Sequence, residues 1–193
     1  KLYCIDDTNP LKAGFGKNCL LARRLIERGV RFVQLFNGAY AMGEGVGNWD
    51  GHKTLKDQYD VHAPILDGPA AGMIKDMRAR GLLDDTLVVF ATEFGRTVFS
   101  QGKIGDPSMG RDHHGRAFTV WMAGGGIKPG IDFGATDDFC YNIIQDPVHL
   151  RDLHATILHT LGIDHGRFSD TFRGLNTRLT GVEEAHVVKQ ILT

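Results

Sequence analysis

The chain has 193 residues, of which 42% are hydrophobic and 23% charged, and this composition is typical of a globular domain and excludes a disordered chain. The formal net charge is -1, with neither basic runs nor an acidic tail, so we expect no nucleic-acid partner. No apolar run approaches the roughly 18 residues of a spanning helix, so we expect no membrane insertion.

The first predicted helix runs from Phe15 to Arg28. Apolar residues recur there at helical spacing among charged ones, and Gly29 follows as a C-cap. Residues 30–36 then alternate loosely between apolar and polar side chains, which predicts a strand ending in a loop. A helix followed by a strand indicates an α/β layer.

The loop from Asn37 to Gly51 is rich in glycine and delivers the stretch Asn48-Trp-Asp-Gly-His52. In extended chain, the spacing of Asp50 and His52 directs both side chains to one side, which suits two ligands of one ion. Alternatively, Asp50 caps the next helix and His52 lies beside it. On spacing alone, the capping interpretation is the stronger one.

The longest helical region extends from Thr54 to Arg80. Proline removes a helical donor and clashes with the preceding turn, so Pro64 and the Gly68-Pro69 pair predict two segments. The second segment is expected from about Pro69 to Arg80, and Gly81 ends it.

Two short apolar runs, residues 86–92 and 117–123, are bounded by glycines and polar loops. Such runs are typical of buried strands in a parallel sheet, because both faces of each strand are covered. Two further helices are predicted, from Pro147 to Leu161 with Asp152 in the first turn, and from Val182 to Leu192. Together these elements predict an α/β fold with a mostly parallel sheet flanked by helices.

Polar side chains cluster where the two central runs end. Glu93 and Arg96 follow the first run, and His113 and His114 lie in the loop that enters the second. Ligands of open α/β sheets bind at the carboxyl ends of the strands, so the functional site is predicted here. His114 is expected to be the solvent-facing neighbour of His113.

Several ordered motifs carry a resemblance to a known family. They are Asn48-Trp-Asp-Gly-His52, Glu93-Phe-Gly-Arg-Thr97, Gly110-Arg-Asp-His113 and Trp121-Met-Ala-Gly-Gly-Gly126. In this order they resemble the motifs of a bacterial family called domain of unknown function 1501, within the alkaline phosphatase and sulfatase superfamily. The resemblance spans nearly the whole chain and implies an alkaline phosphatase-like fold.

The resemblance also implies a set of metal ligands. Asp50 and His52 resemble the Asp-His pair of one metal position, His113 the late histidine that completes it, and Glu93 the acidic residue of a second position. Phe94 stands where many relatives have a histidine, so one nitrogen ligand of the second position is missing. The implied cofactor is a divalent metal, zinc first, with calcium, magnesium or manganese as alternatives.

The function that the resemblance implies is metal-dependent hydrolysis of phosphate or sulfate esters, with a small-molecule or polysaccharide substrate. Arg96 would either bind an anionic ester oxygen or pair with Glu93. The alternative is a noncatalytic binding protein that keeps the scaffold.

The chain begins at Lys1 rather than at a methionine. We expect a single α/β domain over residues 1–193 that forms the carboxyl-terminal part of a longer one. The nucleophile is then expected upstream. By the same resemblance the protein is expected to be periplasmic or exported, with its signal upstream of Lys1.

Overall fold

A computed structural model describes residues 1–38 and 47–193, so residues 39–46 of the predicted glycine-rich loop lie outside the described residues. The described chain forms three α-helices: α1 (Pro10–Glu27), α2 (Leu55–Ala79) and α3 (Leu150–Thr160). It also forms eight short strands: β1 (Val88–Phe90), β2 (Gly95–Arg96), β3 (His113–His114), β4 (Trp121–Ala123), β5 (Ala135–Thr136), β6 (Ile143–Gln145), β7 (Ser169–Phe172) and β8 (Leu175–Arg178).

The predicted mostly parallel sheet flanked by helices is wrong. The described strands form two-stranded antiparallel sheets, with β1 on β4, β2 on β3, β5 on β6 and β7 on β8. A parallel pair needs a crossover, usually a helix, and residues 91–120 between β1 and β4 contain no helix. The runs are also not covered on both faces, since Val89 and Trp121 are 37% and 38% exposed. Apolar composition predicted the two strands but not their direction.

The chain divides into two compact units. The first contains residues 1–83 and 94–118, and the second contains residues 84–93 and 119–193. In the first unit α1 packs on α2 around a small buried core, which consists of Tyr3, Phe15, Cys19 and Ile65.

The first helix begins earlier than predicted because its start carries strong local signals. The Asn9 side chain accepts hydrogen bonds from the amides of Leu11 and Lys12, and Pro10 occupies the first helical turn, where its missing amide costs nothing. The predicted end of the helix is one residue off in its cap: Arg28 is the C-cap, and Gly29 follows it with φ of +86°.

Polar contacts hold α1 to α2. Arg23 on α1 forms ion pairs with Glu27 at 2.6 Å and with Asp76 on α2 at 2.9 Å. The Tyr3 hydroxyl donates to the same Asp76 carboxylate at 2.6 Å. Burial, together with this hydrogen bond, raises the pKa of Tyr3 to about 12.

The predicted break in the second helix is wrong, because α2 continues through Pro64 and Pro69. Each proline removes only its own backbone donor, and burial of Ile65 and Pro69 offsets that local loss. Gly68 also has no Cβ to clash with the ring of Pro69. The predicted end of the helix is confirmed, with Gly81 at φ of +71°.

Two other predicted elements are absent from the described residues. Residues 30–36 form no strand, since nothing pairs with them and Phe32 and Phe36 are about three-quarters exposed. Instead of the helix from Val182 to Leu192, there is one short 3-10 turn, Lys189–Ile191. An isolated bridge between Ile127 and Leu192 holds the end of that segment extended.

The second unit contains α3 and three of the two-stranded sheets. The prediction of α3 is confirmed: the His149 amide donates to the Asp152 carboxylate in the first turn, and Gly162 follows the helix with φ of +75°. Among the described residues, no helix combines the length and the apolar character needed to cross a bilayer.

Candidate metal centre

Three segments of the first unit are joined by backbone hydrogen bonds. Strand β2 pairs with β3, so that Arg96 lies opposite His113. The Arg111 amide donates to the Gly51 carbonyl at 2.8 Å, which ties the His113 segment to the loop that carries Asp50 and His52. Motifs that are distant in sequence therefore meet here.

The close contact between the segment of His113 and the loop of Asp50 depends on Gly110. A Cβ atom at residue 110 would lie 2.1 Å from the carbonyl carbon of His52 and 2.4 Å from the carbonyl oxygen of Gly51. Both neighbours are backbone atoms, so no side-chain rotation would relieve the contact. Glycine at this position is what lets residues 110–113 lie directly against residues 51–52.

The loop that carries Asp50 is supported from α2 by Gln58. The Gln58 side chain is completely buried, and its amide donates to the carbonyls of Asp50 at 3.2 Å and Lys53 at 3.1 Å. Nearby, the Trp49 indole donates to the Asn37 side chain at 2.9 Å. The loop is thus held both through its carbonyl groups, by Gln58, and through the side chain of Trp49.

The side chains of Asp50, His52 and His113, which the resemblance implies as ligands of one metal position, converge. The Nε2 atoms of the two histidines lie 2.9 Å apart, and Asp50 Oδ1 lies 3.1 Å from His52 Nε2 and 3.5 Å from His113 Nε2. A tetrahedral metal with ligand bonds of about 2.0–2.1 Å would separate its donor atoms by roughly 3.3 Å. The three distances bracket this value, so the donor set fits a small divalent ion.

The cluster is open to solvent, since 43% of the Asp50 side chain and 47% of the His113 side chain are exposed, against 14% for His52. Three protein ligands with an accessible remaining position are the usual arrangement of a catalytic zinc site, whereas structural sites use four protein ligands.

The two ring nitrogens of His52 face different partners. Nε2 faces the donor cluster, whereas Nδ1 lies 2.7 Å from Gln101 Oε1 and 3.7 Å from Asp112 Oδ1. Both neighbours of Nδ1 are oxygen acceptors, which favours a proton on this nitrogen. Nε2 is then available as a ligand.

Arg96 pairs with Asp50. Its guanidinium donates to Asp50 Oδ1 at 3.0 Å and to the carbonyls of Trp49 and Arg111 at 3.3 and 3.2 Å. The hydrogen bond from Arg96 lowers the pKa of Asp50, an effect that burial opposes and that the hydrogen bond with His113 reinforces. Asp50 is therefore held as a carboxylate, the form that binds a cation.

Glu93 and His114 are the remaining predicted residues. Among the described residues, the group of possible ligands consists of Asp50, His52 and His113. Glu93 belongs to the second unit, and its side chain is exposed. The expectation for His114 is wrong: His114 is buried at 6% exposure, and His113 is the exposed member of the pair. Successive side chains of a strand point to opposite faces, so β3 directs these two histidines apart.

Sequence reasoning missed Gln58, Gln101 and Phe94. The Phe94 ring lies 4.1 Å from the His113 ring, centroid to centroid, and packs on it. Phe94 lies within the motif of residues 93–97, and this position could have indicated that it belongs to the site. The two glutamines lie outside every motif, and their roles depend on contacts that only the folded chain forms.

Comparison with known families matches residues 1–192 to the family described as "Protein of unknown function (DUF1501)". No curated protein and no solved structure matches the sequence significantly.

Proposed function

We propose that this chain, which belongs to the DUF1501 family, binds a divalent metal ion through Asp50, His52 and His113 and serves in the hydrolysis of phosphate or sulfate esters. The observation that carries the proposal is the convergence of one carboxylate oxygen and two imidazole nitrogens at metal-ligand spacing. Two nitrogens and one oxygen suit zinc better than calcium or magnesium, which prefer oxygen ligands.

The three proposed ligands and their two neighbours each have a defined part in this proposal. Asp50 supplies negative charge, and Arg96 orients it as a positioning residue. His52 and His113 supply neutral nitrogens, and Phe94 restrains the ring of His113 by packing. When bound, the metal would polarise the ester and stabilise the charge that develops during its cleavage.

The rest of the proposal depends on the resemblance stated above. This applies to membership of the alkaline phosphatase and sulfatase superfamily, to the small-molecule or polysaccharide ester as substrate, and to export from the cytoplasm. Glu93 as a ligand of a second metal position belongs to the same part of the proposal.

Metal binding tests the central claim. Protein stripped with a chelator is titrated with zinc, manganese, magnesium and calcium, and His113→Ala is compared with His159→Ala, which removes an exposed histidine of α3. Loss of a ligand should weaken zinc binding by more than the roughly 10–100-fold seen for partners of ligands, whereas the control should bind like the wild type. Equal affinity of all three proteins would overturn the site.

The second metal position has its own test. If Glu93 is a ligand there, Glu93→Ala should lower the number of ions bound per chain. An unchanged stoichiometry would remove Glu93 from the ligand set.

Hydrolysis is assayed on the full-length protein with phosphate and sulfate monoesters and diesters. Activity should require metal and should be lost in Asp50→Ala and His113→Ala. Activity that survives both substitutions would contradict the proposal.

A noncatalytic metal-binding role is the second candidate. It is favoured by one observation, that the Arg96 guanidinium is already engaged by Asp50 and two carbonyls instead of being directed at a substrate. Tight metal binding without turnover of any ester in the panel would select this role.

A further inference from the structure

Gln101 occupies a fixed position beside the donor cluster. Its backbone exchanges two hydrogen bonds with Gly110, at 2.8 and 3.0 Å, in an isolated antiparallel bridge. Its side-chain Oε1 lies 2.7 Å from Nδ1 of His52, and this is a short contact. The backbone bonds hold residue 101 in place independently of its side chain.

The chemistry of this contact is specific. An amide oxygen only accepts hydrogen bonds, so Nδ1 of His52 must donate in this geometry. A neutral imidazole with its proton on Nδ1 has its lone pair on Nε2, the atom that faces Asp50 and His113. Asp112 Oδ1 lies 3.7 Å from Nδ1, beyond hydrogen-bond distance, and places negative charge on the same side of the ring.

We infer that Gln101 is a positioning residue of the metal centre. Its Oε1 accepts a hydrogen bond from Nδ1–H of His52, and this contact holds the ring with Nε2 directed at the metal. The inference rests on the proposed function, because it assigns Nε2 of His52 to the metal. It adds a residue that none of the motifs contains.

The test compares two substitutions at the same position. Gln101→Leu removes the acceptor and keeps similar bulk, whereas Gln101→Glu keeps an acceptor oxygen. Zinc dissociation constants, measured by competition with a chelating dye, should rise about 10–100-fold for Gln101→Leu and stay within a few-fold of wild type for Gln101→Glu.

A second readout separates positioning from a general effect on folding. In the zinc-loaded wild type and in Gln101→Glu, proton NMR should show a slowly exchanging Nδ1–H signal from His52. Gln101→Leu should lose this signal while its urea unfolding curve remains that of the wild type. Gln145→Leu, which changes a glutamine of the second unit, should leave both readouts unchanged.

The outcomes distinguish the two claims. If the wild type does not bind zinc, the proposed function fails and this inference fails with it. If the wild type binds zinc and Gln101→Leu binds it equally well, only the role of Gln101 is overturned. Equal losses in Gln101→Leu and Gln101→Glu would also overturn it, because the acceptor oxygen would then not be what matters.

Discussion

Gly110→Ala should disrupt the candidate metal centre without touching any of its donor atoms. The added methyl would lie 2.1 Å from the carbonyl carbon of His52. Contact between carbon atoms is comfortable at about 3.5 Å, so the backbones of the two segments must separate by about 1.4 Å. Metal-ligand distances tolerate only about 0.2 Å, so His113 can no longer share an ion with Asp50 and His52.

The same shift has a cost in stability. Overpacking typically costs about 1–3 kcal/mol, and 1 kcal/mol lowers Tm by roughly 2–4 °C for a chain of this size. Thermal unfolding should therefore show a Tm lower by roughly 2–12 °C. Zinc titration of the folded protein should show at least about a 100-fold weaker affinity than wild type, as for loss of a ligand.

Gly115→Ala is the matched control. It adds the same methyl five positions further along the same segment, where nothing lies within 4 Å of the new atom. Its stability should stay within about 0.5 kcal/mol of the wild type, with zinc affinity unchanged. If Gly110→Ala behaves like this control in both measurements, the close packing of residue 110 on His52 is refuted.

Three further outcomes follow from buried groups of the first unit and an exposed thiol of the second. Gln58→Leu leaves the carbonyls of Asp50 and Lys53 without their donor, so urea unfolding should show a loss of about 1–3 kcal/mol, and an unchanged curve would contradict that support. The Tyr3 pKa of about 12 lies above the ordinary value of 10.0, so its stabilising contribution is complete below pH 10 and is lost as pH rises through 12. The phenolate absorbance that wild type shows and Tyr3→Phe lacks should appear near pH 12, and its appearance near pH 10 would contradict this. Burial raises the pKa of Cys19 to about 12, so a thiol reagent should label exposed Cys140 in the native protein and Cys19 only after unfolding, whereas equal labelling rates would show that Cys19 is accessible.

The sequence predicted the local features of the fold well. Gly29 and Gly81 were identified as helix ends, and each has a positive φ. A left-handed residue after a helix is a local requirement that glycine meets at the lowest steric cost, so the signal lies within a few residues.

Strand direction could not be predicted from the same kind of signal. The partner of β1 lies about thirty residues further along the chain, and an apolar run contains no information on whether its neighbour is parallel. The available evidence was the connection between the runs. It is polar and contains glycines, with no helical period, and this favours an antiparallel pair over a crossover.

The candidate site was only partly predictable. Spacing alone favoured Asp50 as a helix cap over a ligand pair with His52. The pair, and His113 at 61 positions from His52, were assigned through the family resemblance. Gln101 could not be found, because an isolated glutamine in a polar loop resembles any solvated side chain. Its contact with His52 depends on the bridge to Gly110, which forms only in the folded chain.

Residues 94–97 of the motif Glu93-Phe-Gly-Arg-Thr97 belong to the first unit. There Phe94 packs on His113, and Arg96 pairs with Asp50. The Thr97 amide donates to the Asp112 carbonyl at 2.9 Å, and its hydroxyl accepts from the Asp112 amide at 3.1 Å. Residues 94–97 therefore contact Asp50, Asp112 and His113, which lie in other segments of the candidate metal centre, and these contacts restrain their orientation.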